Sequence, residues 1–399
     1  MNLRDVETSF LKLKTYCEKE NFAGWDPYDG LNSKVFKALP FIGRSAVARL
    51  AWIQLFKRNP FNLRRLLLVP KGHNAKAIGL FLHGYCNLNR MGSPLAANSE
   101  KRINELGELL ISLSATGFSG AAWGYNFPWQ CRREFLFPAG EPTVVATHFC
   151  ASALLEAYEA TGREDFRDTA LSSVRFVMND LHRTPAGDGE LLSYSRATGN
   201  DTIYNASLLG SRLLMLCLKH GAKDPDGEIL RTARSSVAAV CSLQREDGAW
   251  TYGLKKATSW VDSFHTGYNL DAIHTYMELS GDYSFRSHLE RGLHYYINNF
   301  FLPDGTPKYY DTHTYPIDIH CPGQLFVTLS RLGRWNDNQE LARKVMEWTI
   351  SNMQTRTGNF TYQLKRSISS RIPYMRWSDA FMFAAMTHYL LKENTIETC

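Results

Sequence analysis

The chain has 399 residues, 44% hydrophobic, 21% charged and 13% aromatic, with a formal charge of +6. This is a globular composition, long enough for one large domain or two ordinary ones. The charge is mild, no Lys/Arg run or nucleic-acid motif occurs, and no apolar stretch approaches the roughly 20 residues of a membrane span, so neither nucleic acid nor a membrane-spanning helix is expected.

The opening MNLRDVETSFLKLKTYCEKEN is charged throughout and lacks the apolar core of a signal peptide. Eight cysteines show no CxxC spacing. Together these lead to the expectation of a cytoplasmic protein with reduced, mostly buried thiols. Residues 1–43 read as an N-terminal strap on a single domain spanning 1–399. The strap carries WDPYDGLNS, whose Asp26 and Asp29 either hold it in place or belong to a lid over a site. A helix follows at 44–57, RSAVARLAWIQLFK.

From residue 75 onward, apolar residues recur at i, i+3, i+4 and i+7 in paired helices separated by short turns such as GREDF and SGDYSF. First helices are expected near 75–90, 148–161, 202–219, 266–280, 319–332 and 377–393. Second helices are expected near 98–116, 164–182, 226–244, 283–300 and 336–354. Two independent markers repeat with the pairs. Aromatic turns place Tyr125, Tyr194, Tyr252, Tyr310 and Tyr362 at intervals of 52 to 69 residues, and polar clusters place Asp201, Asp262, Asp318 and Asp379 at intervals of 56 to 61. A shared period is the signature of stacked helical hairpins. The first helices are rich in Ala, Gly and Ser, which suits close packing in an inner ring. The second helices carry charge on one face, which suits an outer ring. The expected architecture is all-α, a closed (α/α)6 toroid, with 44–57 as the sixth outer partner. An open solenoid would want polar capping repeats, and HYLLKENT near the C-terminus is not one.

In such a ring every aromatic loop leads from an outer helix into the next inner one, so all lie on one rim around a central cavity. Going along the chain, the expected lining is Trp123, Tyr125, Trp129, Arg132 and His148, then Tyr194, Asn200, Asp201, Tyr204 and Asn205. Trp250, Tyr252, Trp260, Asp262, His265, Tyr268 and Asn269 follow, then Lys308, Tyr309, Tyr310, Asp318, His320, Gln324, Tyr362, Arg376, Trp377 and Asp379. Flat aromatics stack on the C–H faces of sugars, and short polar groups bond their hydroxyls. Each residue also has a plainer role. A Trp in a Gly turn pins its loop, an Asp at a helix start caps free N–H groups, and Arg376 can pair with Asp379. His265 and His320 stand out because each lies beside an Asp at equivalent places in successive repeats. No HExxH, CxxC, Walker A, GxGxxG or GxSxG is present, so no metal and no cofactor is expected.

Several segments together, GWDPYDGLNS, AAWGYNFPWQCR, PTVVATHF, DGAWTYG with WVDSFHTGYNL, PKYYDTHTYPIDIH and RIPYMRW, resemble a bacterial family from exopolysaccharide and surface-glycan biosynthesis clusters. Its members are described as six-hairpin or α/α-toroid proteins, some under an aminolevulinate dehydratase label. The resemblance implies a toroid in a glycan context and no particular reaction. FPWQ departs from the Asp that family members carry before this Trp. A Lys-centred Schiff-base motif and a zinc Cys cluster, which the dehydratase label would require, are missing.

Three functions follow as expectations. The first is a C5 epimerase or β-eliminating lyase on a uronic-acid-containing glycan. Here His265 or His320 is the base, Tyr310 the acid, and Arg376 or Lys308 the carboxylate clamp. The second is a glycoside hydrolase using Asp262 with Asp318, or Asp201 with Asp379, about 5 to 9 Å apart. The third is a non-catalytic glycan-binding or scaffold protein of a polysaccharide assembly system. The expected partner throughout is an oligo- or polysaccharide, anionic in the first case.

Overall fold

The computed structural model describes residues 1–92, 94–131 and 135–397. Six inner helices, Ala75–Met91, Val144–Thr161, Tyr204–Lys219, Ser263–Ser280, His320–Arg331 and Phe381–Glu397, each pack on the next, and the last packs on the first. The ring is therefore closed, and the all-α (α/α)6 toroid expected from the sequence is the fold. Inner helices are buried on nearly all sides, as in Val144–Thr161, because both neighbours and the outer layer cover them. Small residues make this approach possible. A Cβ on Gly267 would stand 2.4 Å from Gln324 Cγ on the next inner helix.

Outer helices bury a single stripe. Five of them, Ser99–Ser112, Glu164–Arg175, Glu228–Ser242, Arg286–Phe300 and Gln339–Met353, fall where the sequence predicts them. The sixth does not. Its place is taken by Leu3–Lys19, which buries Val6, Phe10, Leu13 and Cys17 against the last inner helix, with the Phe10 and Phe383 rings 5.0 Å apart. The helix expected at 44–57 forms as Ala46–Arg58. It lies on the strap, where Ile53 joins Leu31 and Phe36, and Phe56 joins Trp25 and Tyr374.

The aromatic-turn repeat has a physical cause. Gly248, Gly305 and Gly358 have φ of +92°, +88° and +98°. A Cβ on them would meet the backbone carbonyl of Arg291, Lys344 or Lys12 at 2.5, 2.5 and 2.4 Å. Each turn thus lies flat on the next outer helix, and the repeat at Gly358 lies on Leu3–Lys19. Gly358→Ala combines a left-handed backbone with a clash against Lys12, so a loss of about 2–3 kcal/mol is expected. Gly281→Ala, at φ +72° with open space around it, is the control at about 1 kcal/mol. Urea midpoints check this; equal losses would mean that the contact with Leu3–Lys19 does not hold the turn.

Candidate active site

The rim loops and the N-terminal ends of the inner helices enclose a cavity of about 290 Å³, near the lower end of small-ligand sites. Of the residues expected from the sequence, Tyr125, Trp129, Tyr194, Asn200, Asn205, Tyr252, Trp260, His265, Tyr268, Tyr309, His320, Arg376 and Trp377 line it, while Asn269, Gln324 and Tyr362 do not. Stacked pairs shape its walls. Trp129 lies on Phe137 with centroids 4.6 Å apart and Tyr252 on Trp260 at 4.7 Å. His320 lies on Trp377 at 4.4 Å.

Asp262 shows how a helix start builds the site. Its Oδ1 caps Ser263–Ser280 by accepting from the His265 backbone N–H at 3.1 Å. Its Oδ2 accepts from Trp260 Nε1 at 3.0 Å and faces His265 Nδ1 at 2.8 Å. With Nδ1–H directed at the carboxylate, Nε2 is the nitrogen left for a ligand. One buried carboxylate thus caps a helix, fixes a Trp wall and orients an imidazole.

His320 is arranged differently. It is 2% exposed, and neither ring nitrogen has a hydrogen-bond partner among the described residues. Burial, then the charges of Lys76 and Arg376, push it well below the usual imidazole range, so the ring is neutral. Asp318 sits beneath, accepting from the His320 backbone N–H at 3.0 Å, Trp377 Nε1 at 2.9 Å and Gln363 Nε2 at 3.2 Å. Burial raises its carboxyl to about 6 despite these bonds. Tyr268 OH and Asn205 Oδ1 are also buried without partners. Buried polar atoms in this condition at a cavity are places where ligand hydroxyls or water bond.

Arg376 pairs with Asp26 of the strap, Nε and Nη2 reaching Oδ2 and Oδ1 at 2.5 and 2.8 Å. Asp379, its alternative partner in the sequence, instead accepts from the Phe360 backbone N–H at 2.9 Å, fully buried, and burial pushes its carboxyl well above the usual range. A six-residue π-helical turn, Met375–Ala380, precedes the last inner helix and carries both residues.

Other expected residues lie off the cavity. Trp123 and Trp250 are pegs: their indole N–H groups donate to the carbonyls of Leu110 and Val240 on the preceding outer helices, at 2.7 and 2.9 Å. Asp201 accepts from Thr184 at 2.8 Å. Tyr204 is buried at a helix start, Lys308 Nζ bonds the carbonyl of Asp311, and Tyr310 packs on Tyr309 and His313. His148 lies in a smaller pocket of about 30 Å³ deeper in the ring, where its Nε2 accepts from Arg212 at 3.0 Å. Arg132 lies outside the described residues.

Lys76, at the first turn of Ala75–Met91, was not marked by the sequence. It is 4% exposed, lines the cavity, and holds its ammonium 4.2 Å from the Phe149 ring centre and 5.7 Å from that of Tyr268. Among the described residues it pairs with no carboxylate. Burial, then the Arg376 charge, lower it to about 7. Tyr28 of the strap, Lys255 and Phe264 are also among the lining residues the sequence did not mark; Phe264 touches both imidazoles, with centroids 4.1 Å from His265 and 4.9 Å from His320. Among the described residues the lining includes no Asp or Glu. No three His, Cys, Asp or Glu side chains among them are grouped to hold a metal ion.

Comparison with protein-family models and with curated proteins returns no match. Among solved structures, the chain is similar to cellobiose 2-epimerase from Bacillus thermoamylovorans, at 10% identity and a TM-score of 0.64 over 82% of this chain and 90% of that one. It is similar to a GH76 α-mannanase of Bacteroides thetaiotaomicron at 11% identity and a TM-score of 0.62, over 82% and 88%. An unsaturated glucuronyl hydrolase specific for heparin aligns over 100% of this chain and 98% of its own, at 12% identity and a TM-score of 0.61. At these identities the likeness establishes the fold, and the fold is that of the (α/α)6 toroids.

Proposed function

We propose that this protein is a carbohydrate-active enzyme that removes a proton from a sugar carbon next to a carboxylate, as a C5 epimerase or β-eliminating lyase of a uronic-acid-containing glycan. The observation that carries this reading is the chemistry of the cavity wall: among the described residues it holds two imidazoles, the buried and unpaired Lys76, the exposed Lys255 and Arg376, and no carboxylate. Neutral His320, its ring nitrogens uncommitted, is the base. His265, held by Asp262, delivers or accepts the proton on another side of the sugar. Phe264 lies against both rings, so one sugar ring reaches both. Lys76 neutralises the carboxylate as negative charge develops on it, and Arg376, half cancelled by Asp26, assists. Tyr309, raised well above 10 by burial and the nearby Asp262 and Asp318, serves as a hydrogen-bond donor.

A paired-carboxylate hydrolase is less well supported. Asp262 and Asp318 are committed to three hydrogen bonds each, and Asp201 and Asp379 lie off the lining. The similar structures named for cellobiose 2-epimerase and glucuronyl hydrolase favour a sugar ligand in this fold without choosing between its reactions. A cytoplasmic, biosynthetic setting belongs to the same reading. The test is incubation with defined uronate and neutral oligosaccharides in deuterated water. Deuterium at C5, or a conjugated unsaturated product, is expected from the uronates alone. New reducing ends without either signal would favour hydrolysis, and binding without turnover would leave a glycan-binding protein.

A further inference from the structure

We propose that the surface formed by residues 41–68 and the loop around Ile368 docks on an anionic lipid bilayer. Helix Ala46–Arg58 turns Ile53 and Phe56 inward, yet its outward face is also apolar: Val47 and Leu55 are 57% and 44% exposed, with exposed Ala51 between them at four-residue spacing. On the turns before and after it, Phe41 is 68% exposed and Phe61 and Leu66 are each 76% exposed. Ile368, at 68%, lies in a loop tied to the same helix by Lys365, whose Nζ donates to the Arg58 carbonyl at 3.4 Å. These include the four most exposed large hydrophobic residues among those described. Large side chains left this open mark a surface that another phase or partner covers.

Charge decides which. Between Asp29 and Glu100 there is no acidic residue, while nine Lys or Arg lie between Lys34 and Lys71. Among the described residues, only Arg64 and Lys71 of these are paired with a carboxylate, Asp29 and Glu20. The ammonium of Lys365 is lowered by burial and then by Arg58 and Lys57, so cations here face cations. An acid-free basic field interleaved with projecting Phe, Leu and Val fits anionic head groups over an acyl layer. The apolar residues stand on a convex helix face and on turns, and a bilayer requires no matching concave shape. No helix among the described residues is long and apolar enough to cross a membrane, so attachment is peripheral. Lys57 donates to Tyr28 OH at 2.6 Å, and Tyr28 lines the cavity. The docked face therefore holds the cavity wall about one helix diameter from the bilayer.

The test is cosedimentation of the full chain with vesicles. Binding to phosphatidylglycerol/phosphatidylcholine vesicles at low salt is expected, at least about tenfold weaker to phosphatidylcholine alone and falling with salt. Phe61→Ser with Leu66→Ser should weaken it by about tenfold or more while leaving the thermal midpoint unchanged, since both side chains are in solvent. A chain that stays in the supernatant with anionic vesicles overturns the proposal. So does a double variant that binds as well as the parent, because attraction is then only electrostatic. A dimer seen by light scattering, abolished by the double variant, with no vesicle binding, assigns the face to a second copy and also overturns it.

Discussion

His320→Gln is expected to lower turnover of a uronate-containing glycan by about 10²–10⁴-fold, the range general-base catalysis supplies, with a near-normal thermal midpoint. The glutamine fills similar space over Trp377 but cannot take a proton. The loss should fall on kcat, with KM little changed, because the ring contributes through proton transfer. The pH profile gives a second readout. A base must be neutral, and burial with the charges of Lys76 and Arg376 holds His320 well below 6.5. The acid limb contributed by this residue therefore lies below pH 6.5, and it should vanish in the variant's residual activity. Asp262→Asn supplies the contrast. An amide still caps the helix but presents one donor where His265 and Trp260 both need an acceptor, turning the imidazole or its tautomer. If His320→Gln retained full activity while Asp262→Asn lost it, the proton chemistry would rest on His265 alone.

The ring was legible because its cause is local and repeated. A glycine that must lie on a neighbouring helix, an aromatic after it and an Asp at the next helix start all recur with one period. The sixth outer helix was not legible. Leu3–Lys19 has no aromatic turn of its own, since the turn that rests on it is at Gly358, at the far end of the chain. Trp123 and Trp250 were read as cavity walls because an indole in a glycine turn looks alike whether it faces a ligand or pins the loop. Only the Leu110 and Val240 carbonyls that receive their N–H groups distinguish the two. The Asp26–Arg376 pair spans 350 positions, a separation over which one sequence shows no pattern. Lys76 was missed for a related reason. A lysine in the first turn of a helix reads as solvent-exposed, and nothing nearby in NAKAIGL signals that Phe149 and Tyr268, brought from two other repeats, enclose it.

Lys76→Met is expected to weaken binding of an acidic oligosaccharide by about 10- to 100-fold at pH 6, the scale of one charged hydrogen bond, and to leave a neutral oligosaccharide almost unaffected. The wild-type protein should show the same loss as pH rises. With the ammonium lowered to about 7 by burial and Arg376, against an ordinary 10.5, Lys76 is charged below pH 7 and increasingly neutral above it. Affinity for the anion should decline through that pH, and Lys76→Met should flatten the decline; of the other cations on the lining, Arg376 is tied to Asp26 and the exposed Lys255 donates to the Gly199 carbonyl. Stability should move in the opposite direction. Between pH 7 and 10.5 the unfolded chain keeps a proton that the folded chain has released, so the protein gains stability from this group as pH rises and carries its full cost below 7. Removing the ammonium should therefore raise the urea midpoint, by more at pH 6 than at pH 9, with a gain of about 1–3 kcal/mol at pH 6 after the lost cation–π contact is counted. A variant that is more stable and binds neutral sugars normally but acidic ones poorly identifies Lys76 as the reader of substrate charge. Equal loss toward acidic and neutral sugars would instead make it part of the cavity's shape, and the case for a uronate would lose its uncompensated cation.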